Sequence, residues 1–245
     1  MADVNWLSLL FIIGFVGVHF STKYLKLSIE NPRSPWLSVF GGATIAYVFL
    51  YLLPELRKYL GIMKEAVGDS WLAVVGDYTY LLALIGLLVY FGLDTLAKTK
   101  QKDKGEESGF PVFLVHLSSF FIYNLIIGYL LIREEFSSQW SMALYFLALA
   151  AHFVATDHTL KEIHKEAYDR YGRWFLVAAL LIGWLIGVIL KVHEVAVGIA
   201  VSFLVGGILL NVFKDELKQG GSKNYLAFLS GAGVILALFI VVRSL

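Results

Sequence analysis

The sequence predicts an all-α, polytopic membrane protein with eight transmembrane helices in a single domain, residues 1–245. Of the 245 residues, 58% are hydrophobic and only 16% are charged, whereas soluble domains carry about 25% charged residues. Eight apolar stretches approach the roughly 20 residues that a helix needs to cross a bilayer. The one hydrophilic break, "KTKQKDKGEESG" at 98–109, is too short to form a second domain.

The eight predicted spans are separated by short connections. They are Trp6–Phe20, Pro35–Leu53, Trp71–Leu93, Phe110–Ile132, Trp140–Ala155, Trp174–Leu190, Val195–Phe213 and Tyr225–Val242. The first and fifth reach full length only with their polar ends, so seven spans and one re-entrant segment is the alternative. Residues 1–5 lack Lys and Arg and no small-residue cleavage site follows, which argues against a secretion signal at the first span.

The distribution of Lys and Arg predicts the orientation. Most of these residues lie in the loops that follow the first, third, fifth and seventh spans, and positive charge is retained in the cytoplasm. The loops 98–109 and 157–173 are therefore expected to be cytoplasmic and both termini to lie outside. Short loops favour a prokaryotic inner membrane. A net charge of +1 without a basic patch argues against a nucleic-acid partner.

Two stretches of the chain resemble each other. "GGATIAYVFLYLLPEL" at 41–56 and "VGGILLNVFKDELK" at 205–218 each run from a glycine pair through an apolar segment to a carboxylate followed by Leu. The second span runs outward and the seventh inward in the predicted topology. Spans 1–3 and 6–8 could therefore be inverted repeats around a central pair, which is an arrangement of transporters.

Polar side chains form stripes within several predicted spans, where exposure to lipid costs several kcal/mol. The residues predicted to line a central path are Thr44, Tyr47, Tyr51, Glu55, His116, Tyr123, Thr156 and Asn211. Pro54 can kink the second span beside Glu55. The alternative is that these side chains only hold the helices together by hydrogen bonds, which is common in membrane proteins.

The segment "AHFVATDHTLKEIHKEAYDRYGR" at 151–173 crowds histidines and carboxylates together. Charged pairs four residues apart, Asp157 with Lys161 and Lys165 with Asp169, are typical of a solvated helix. We therefore expect the histidines and glutamates that follow in this segment to lie on a solvated helix end and not to form a metal site. They are His158, Glu162, His164 and Glu166. His152 differs because it lies inside an apolar span, where an ionisable residue is costly.

"VFLYLLPEL" at 48–56 resembles the second-span signature of the ZIP divalent-metal transporters, and "GGILLNVFKDEL" with "LSGAGVILALFI" resembles their last two helices. The resemblance implies a bundle of 3+2+3 helices with the metal path along the fourth and fifth. In "YNLIIG" and "HFVATD", the positions that match the family's metal ligands are Asn124, His152 and Asp157. Tyr51, Tyr123, Ile127, Phe153 and Thr156 replace other family ligands, so a binuclear site is expected to be lost.

The leading interpretation is a ZIP-like transporter of a divalent metal ion or another small solute, along a path between the second, fourth, fifth and seventh helices. The alternative is a pseudo-transporter that acts as a membrane scaffold or regulatory subunit. We expect no tightly held cofactor, and at most a weakly bound Zn, Fe or Mn ion. The expected partners are the lipid bilayer, the transported ion or solute, and a second copy in a homodimer. An enzyme is not expected, because no GxSxG, HExxH or paired HxxxH motif occurs.

Overall fold

A computed structural model describes residues 2–22, 35–67, 78–104, 110–134, 136–218 and 225–244, and these are almost entirely α-helical. The helices are α1 (Ala2–Ser21), α2 (35–67), α3 (Tyr78–Lys104), α4 (Phe110–Arg133), α5 (Gln139–Ala167), α6 (Arg173–Ile189), α7 (Glu194–Lys218) and α8 (Tyr225–Ser244). The prediction of an all-α membrane protein is confirmed. Trp71 and four basic residues used for the orientation, Lys23, Lys26, Arg33 and Lys223, lie outside the described residues, as do residues 105–109 of the predicted loop.

Five helices among the described residues are long and apolar enough to cross a membrane, whereas we expected eight spans. The predicted fifth and sixth spans belong to one of them, Gln139–Ile189, because α5 continues into α6 through the π-helical turn Tyr168–Gly172 without an intervening loop. The predicted first and fourth spans correspond to shorter apolar helices, Trp6–Ser21 and Leu117–Arg133. The length and composition of these helices indicate an integral membrane protein.

The chain reverses direction between α5 and α6. Along α1, Phe11 stacks on Phe146 and Phe15 meets Phe153, with ring centroids 4.7 and 5.1 Å apart, so α1 and α5 run the same way. Against α6 the order is inverted, because Phe20 contacts Trp174 while Trp184 donates a hydrogen bond to Ser8. Helices α5 and α6 are therefore antiparallel. The reversal occurs near Lys165, whose φ of 40° and ψ of −114° break the helix.

Glycines bring three pairs of helices into close contact. A Cβ at Gly128 would overlap the carbonyl oxygen of Leu180, and one at Gly183 would overlap that of Leu125, so α4 and α6 touch backbone to backbone. Gly42 and Gly231 join α2 to α8 in the same way, and Gly86 and Gly206 join α3 to α7. Small residues at crossings are the usual means by which membrane helices pack without a hydrophobic driving force between them.

Helix α2 contains a π-helical turn, Val48–Leu52, directly before Pro54. Pro54 has no N–H to donate, and the N–H of Leu53 donates to the carbonyl of Val48, five residues back. This wider turn is a local adjustment that satisfies backbone groups near a proline in a membrane helix. Within this turn the ring of Tyr51 stacks on Tyr47, with centroids 5.1 Å apart.

Candidate functional site

A buried hydrogen-bonded cluster joins α1, α4 and α5 around His19. The Nδ1 atom of His19 lies 2.9 Å from Oδ2 and 3.1 Å from Oδ1 of Asp157, and its Nε2 lies 3.1 Å from Oδ1 of Asn124. At most 1% of the surface of each of these three residues is exposed. Two of the three predicted metal ligands, Asn124 and Asp157, therefore meet on a histidine that the family motifs did not indicate.

The hydrogen-bond pattern fixes where the protons of this cluster lie. The Nδ2 group of Asn124 donates to the carbonyl of Phe120 at 2.8 Å, so its oxygen is the atom that faces His19. Because that oxygen can only accept, Nε2 of His19 must carry a proton. The contact between Nδ1 and the Asp157 carboxyl is also within hydrogen-bond distance. An imidazole and a carboxyl that satisfy each other cost less to bury in a membrane protein than either group alone.

Neighbouring side chains hold the cluster in place. The hydroxyl of Thr22 lies 3.2 Å from Oδ2 of Asp157 and 2.9 Å from the carbonyl oxygen of His19, and its single proton can be donated to either. The ring of Phe153 covers the imidazole of His19, with centroids 4.7 Å apart. Thr22 and Phe153 thus cover the Asp157 carboxyl and the His19 imidazole.

His152, the third predicted ligand, is buried but bonds elsewhere. Its Nε2 lies 3.1 Å from the hydroxyl of Thr156, one helical turn further along α5, and its ring contacts Tyr123 at 5.3 Å between centroids. Its Nδ1 has no hydrogen-bond partner among the described residues. If Thr156 donates its hydroxyl proton to Nε2, Nδ1 carries the ring proton. If Nε2 donates to Thr156 instead, Nδ1 has a lone pair.

A row of tyrosines continues from His152 through the centre of the molecule. Tyr123 of α4, Tyr145 of α5 and Tyr47 of α2 are buried, and the rings of Tyr47 and Tyr145 lie 6.2 Å apart. Tyr51 of α2 is half-buried and stacks on Tyr47. Tyr145 donates its hydroxyl to the carbonyl of Ile127 at 3.1 Å. The hydroxyls of Tyr47 and Tyr123 are buried and have no partner in the described part of the chain. Buried orphan groups of this kind are normally satisfied by water or a ligand.

The other residues predicted to line the path differ from one another in their contacts. Thr44 donates to the carbonyl of Phe40 in its own helix. Glu55 pairs with Lys58 at 3.1 Å near the end of the tyrosine row. The Nδ2 group of Asn211 in α7 has no partner among the residues that the structure describes. The side chain of His116 lies outside the described part of the structure, although its backbone belongs to α4.

The expectation of a solvated helix end at 158–166 is wrong for His164. Only 2% of its surface is exposed, and its ring contacts Phe113 of α4 at 5.0 Å between centroids. Glu162 and Glu166 are exposed, and His158 approaches Glu162 at 4.0 Å, as a helix end in water would allow.

The two charged pairs predicted in this segment are replaced by others. Asp157 bonds to His19 and not to Lys161. Asp169 pairs with Arg173 at 2.7 Å and with Lys161 at 4.0 Å. The pairs predicted from helical spacing are therefore wrong, because His19 of α1 and Arg173 of α6 supply partners that the spacing within one helix could not indicate.

His19 is the functional candidate that motif comparison missed. It stands in "FIIGFVGVHF", inside the first predicted span. The rule that singled out His152, that an ionisable residue in an apolar span requires a partner or a function, applies to His19 equally. That signal was present in the sequence.

The described residues of this site offer few donors for a metal ion. No group of three or more His, Cys, Asp or Glu side chains converges in the described residues. One imidazole, one carboxylate and one amide oxygen remain as ligands, from His19, Asp157 and Asn124. Such a mixed nitrogen and oxygen set suits Zn, Fe or Mn, with water completing the coordination. A metal ion would also have to compete with the hydrogen bonds that join His19 to Asp157 and Asn124.

Comparison of the chain with family models and with curated proteins gives no match. The likeness to ZIP transporters therefore rests on the quoted motifs.

Proposed function

We propose that this protein is a membrane transporter that moves a small cation, a divalent metal ion in the first instance, along the polar row between α2, α4 and α5. The observation that carries the proposal is a set of buried polar atoms without hydrogen-bond partners among the described residues: the hydroxyls of Tyr47 and Tyr123 and Nδ1 of His152. Polar groups that only hold the helices together would be expected to have hydrogen-bond partners, because an unsatisfied buried polar group costs about 1–3 kcal/mol.

The topology that we propose has eight crossings, with both termini outside and the 157–173 turn in the cytoplasm. The antiparallel course of α5 and α6 supports two crossings within Gln139–Ile189, since the 51 residues of this segment far exceed the roughly 20 that one crossing requires. The shorter apolar helices in α1 and α4 pack beside α5 and α6 and would cross with them. A ZIP-like 3+2+3 arrangement, with α4 and α5 as the central pair, accommodates this proposal.

The side chains along this path would bind a metal ion only briefly. Brief binding is an advantage in transport, because an ion must leave the site as well as enter it. His152 and the tyrosine hydroxyls would contact the ion in passing, and the cluster of Asn124, Asp157 and His19 would form the more strongly binding end of the path.

A second function is favoured by one specific contact. Asn124 and Asp157 are both within hydrogen-bond distance of His19, so two of the residues that correspond to the family's metal ligands already belong to an internal hydrogen-bonded network. This is the behaviour expected of a pseudo-transporter that has become a scaffold or regulatory subunit. In that case the cluster only fixes α1 against α4 and α5.

Transport into proteoliposomes separates the two functions. The full chain is reconstituted with an ion-sensitive dye inside, and Zn²⁺, Fe²⁺ or Mn²⁺ is added outside. We expect influx above that of protein-free vesicles, and its loss in His152→Leu. The control is His193→Gln, which alters an exposed histidine in the loop after α6. Influx that is absent for all three ions, or that is unchanged in His152→Leu, would reject the transport proposal.

A further inference from the structure

An open cavity of about 170 Å³ lies where α2, α4 and α7 meet the loop that follows α6. One wall is apolar and is formed by Ile62, Leu130, Val192 and Val197. The rest carries charged groups: Lys58, Arg133, Glu134, Lys191 and Glu194. The cavity therefore combines apolar and ionic surface, and it lies where α4 and α6 end and α7 begins.

The charges of this cavity are only partly paired within the protein. Lys58 lies 3.1 Å from Glu55 and 3.9 Å from Glu134, so both carboxylates have an ionic partner within the protein. Arg133 donates its Nε to the carbonyl of Gly187, and its two terminal nitrogens make no hydrogen bond or ion pair with the described residues. Lys191 and Glu194 likewise have no ionic partner in the part of the chain that the structure describes, and both are exposed. Two cationic groups and one carboxylate thus remain available to a ligand.

This remaining set of charges is complementary to a zwitterion. Arginine presents its N–H groups in a fork that matches two oxygens of a phosphate, and lysine adds a point charge. The carboxylate of Glu194 can accept hydrogen bonds from a primary ammonium, which has three N–H donors. A ligand with a phosphodiester and an ammonium group would therefore satisfy all three side chains, while a simple anion would leave Glu194 repelling it.

We propose that this cavity binds a phosphoethanolamine group, with the phosphate on Arg133 and Lys191 and the ammonium on Glu194. The position at the ends of membrane helices is the depth of the lipid headgroups, and the apolar wall is suited to the glycerol and the first methylene groups of a lipid. A phosphatidylethanolamine lipid and free phosphoethanolamine share this headgroup chemistry. The site is separate from the His19 cluster, and its occupancy does not depend on whether the protein transports anything.

Native mass spectrometry of the full chain in detergent tests this site. The protein is titrated with short-chain phosphatidylethanolamine, phosphatidylcholine and phosphatidylglycerol. We expect phosphatidylethanolamine to bind about tenfold more tightly than the other two, because choline cannot donate hydrogen bonds and phosphatidylglycerol has no cation, and a hydrogen bond to a charged group is worth that factor. Equal affinity for all three lipids would overturn the proposal.

Variants distinguish the two ends of the ligand. Glu194→Gln should abolish the preference for phosphatidylethanolamine over phosphatidylglycerol, and Lys191→Gln should weaken all three lipids severalfold. The control is Arg57→Gln, an exposed basic residue of α2 outside the cavity, which should change nothing. A preference for phosphatidylethanolamine that survives Glu194→Gln would contradict the assignment. So would a loss of lipid affinity in Arg57→Gln as large as that in Lys191→Gln.

Competition identifies the source of the group. If millimolar free phosphoethanolamine displaces the lipid, the site takes the soluble zwitterion. If it does not while the lipid preference holds, the acyl chains are required and the occupant is a membrane lipid.

Discussion

The Nδ1 atom of His19 lies 2.9 Å from Oδ2 of Asp157, and this contact joins the first helix to the fifth across 138 residues of sequence. Both side chains are buried. Each member satisfies a hydrogen-bonding group of the other, and the second ring nitrogen of His19 faces the amide oxygen of Asn124. The removal of either partner leaves an uncompensated polar or charged group in an apolar interior.

We expect Asp157→Leu and His19→Leu each to destabilise the protein by about 3–5 kcal/mol, the usual cost of breaking a buried pair from one side. The double variant should lose much less than the sum, since neither group is then left unpaired. Thermal unfolding in detergent measures the three effects. Additive losses would mean that the two residues do not depend on each other.

Two tyrosines provide a matched test of the interior. Tyr145→Phe removes a hydrogen bond to the carbonyl of Ile127 and should cost about 1 kcal/mol of unfolding free energy. Tyr123→Phe removes a buried hydroxyl that has no partner within the described segments, so the stability of this variant should be unchanged or slightly higher. Denaturant unfolding of both variants in the same detergent compares them. An equal loss of stability in Tyr123→Phe would show that its hydroxyl is paired.

The contact between α4 and α6 should be sensitive to the smallest change in side-chain size. Gly183→Ala places a methyl group against the carbonyl of Leu125, and we expect a loss of about 1–3 kcal/mol from overpacking. Gly17→Ala is the control, because nothing lies within 4 Å of its Cβ position. That substitution should be neutral or stabilising by up to about 1 kcal/mol, as alanine favours a helix over glycine. Thermal unfolding temperatures that fall equally for both would argue against the close crossing.

The burial of His164 predicts a difference between neighbours on α5. His164→Ala should destabilise the protein by about 1–3 kcal/mol through the lost contact with Phe113, whereas Glu162→Ala removes an exposed side chain and should have little effect. The midpoints of urea unfolding, measured side by side, decide this. A solvated histidine, as the sequence pattern suggested, would make both substitutions harmless.

The all-α membrane class could be predicted from the sequence, because long apolar stretches bounded by polar residues are typical of membrane helices. The eight expected spans could not, since five helices of spanning length and apolarity are found among the described residues. The proximity of Asn124 to Asp157 was also accessible through the motif resemblance. Both inferences use only the order of the residues along the chain, which can be read from the sequence.

Other features arise from contacts between distant segments and left no local pattern. The burial of His164 is caused by Phe113, which lies 51 positions earlier in the sequence. The reversal near Lys165 takes place without Gly or Pro at the residue with positive φ, so no turn signal marked it. His19 was detectable as a histidine inside a span, but its partners in α4 and α5 were not.

Thiol labelling of single-cysteine variants tests most directly whether a polar path runs between α2, α4 and α5. The natural chain has no cysteine, so Tyr47→Cys, Tyr123→Cys and the control Ile122→Cys, whose side chain is 54% exposed on the outer face of α4, each give one reactive site. In vesicles, a charged methanethiosulfonate reagent added to the water should label positions 47 and 123 and leave position 122 unlabelled. Divalent metal ions should slow the labelling at 123. If position 123 is as unreactive as position 122, no aqueous path reaches this site and the transport account is wrong.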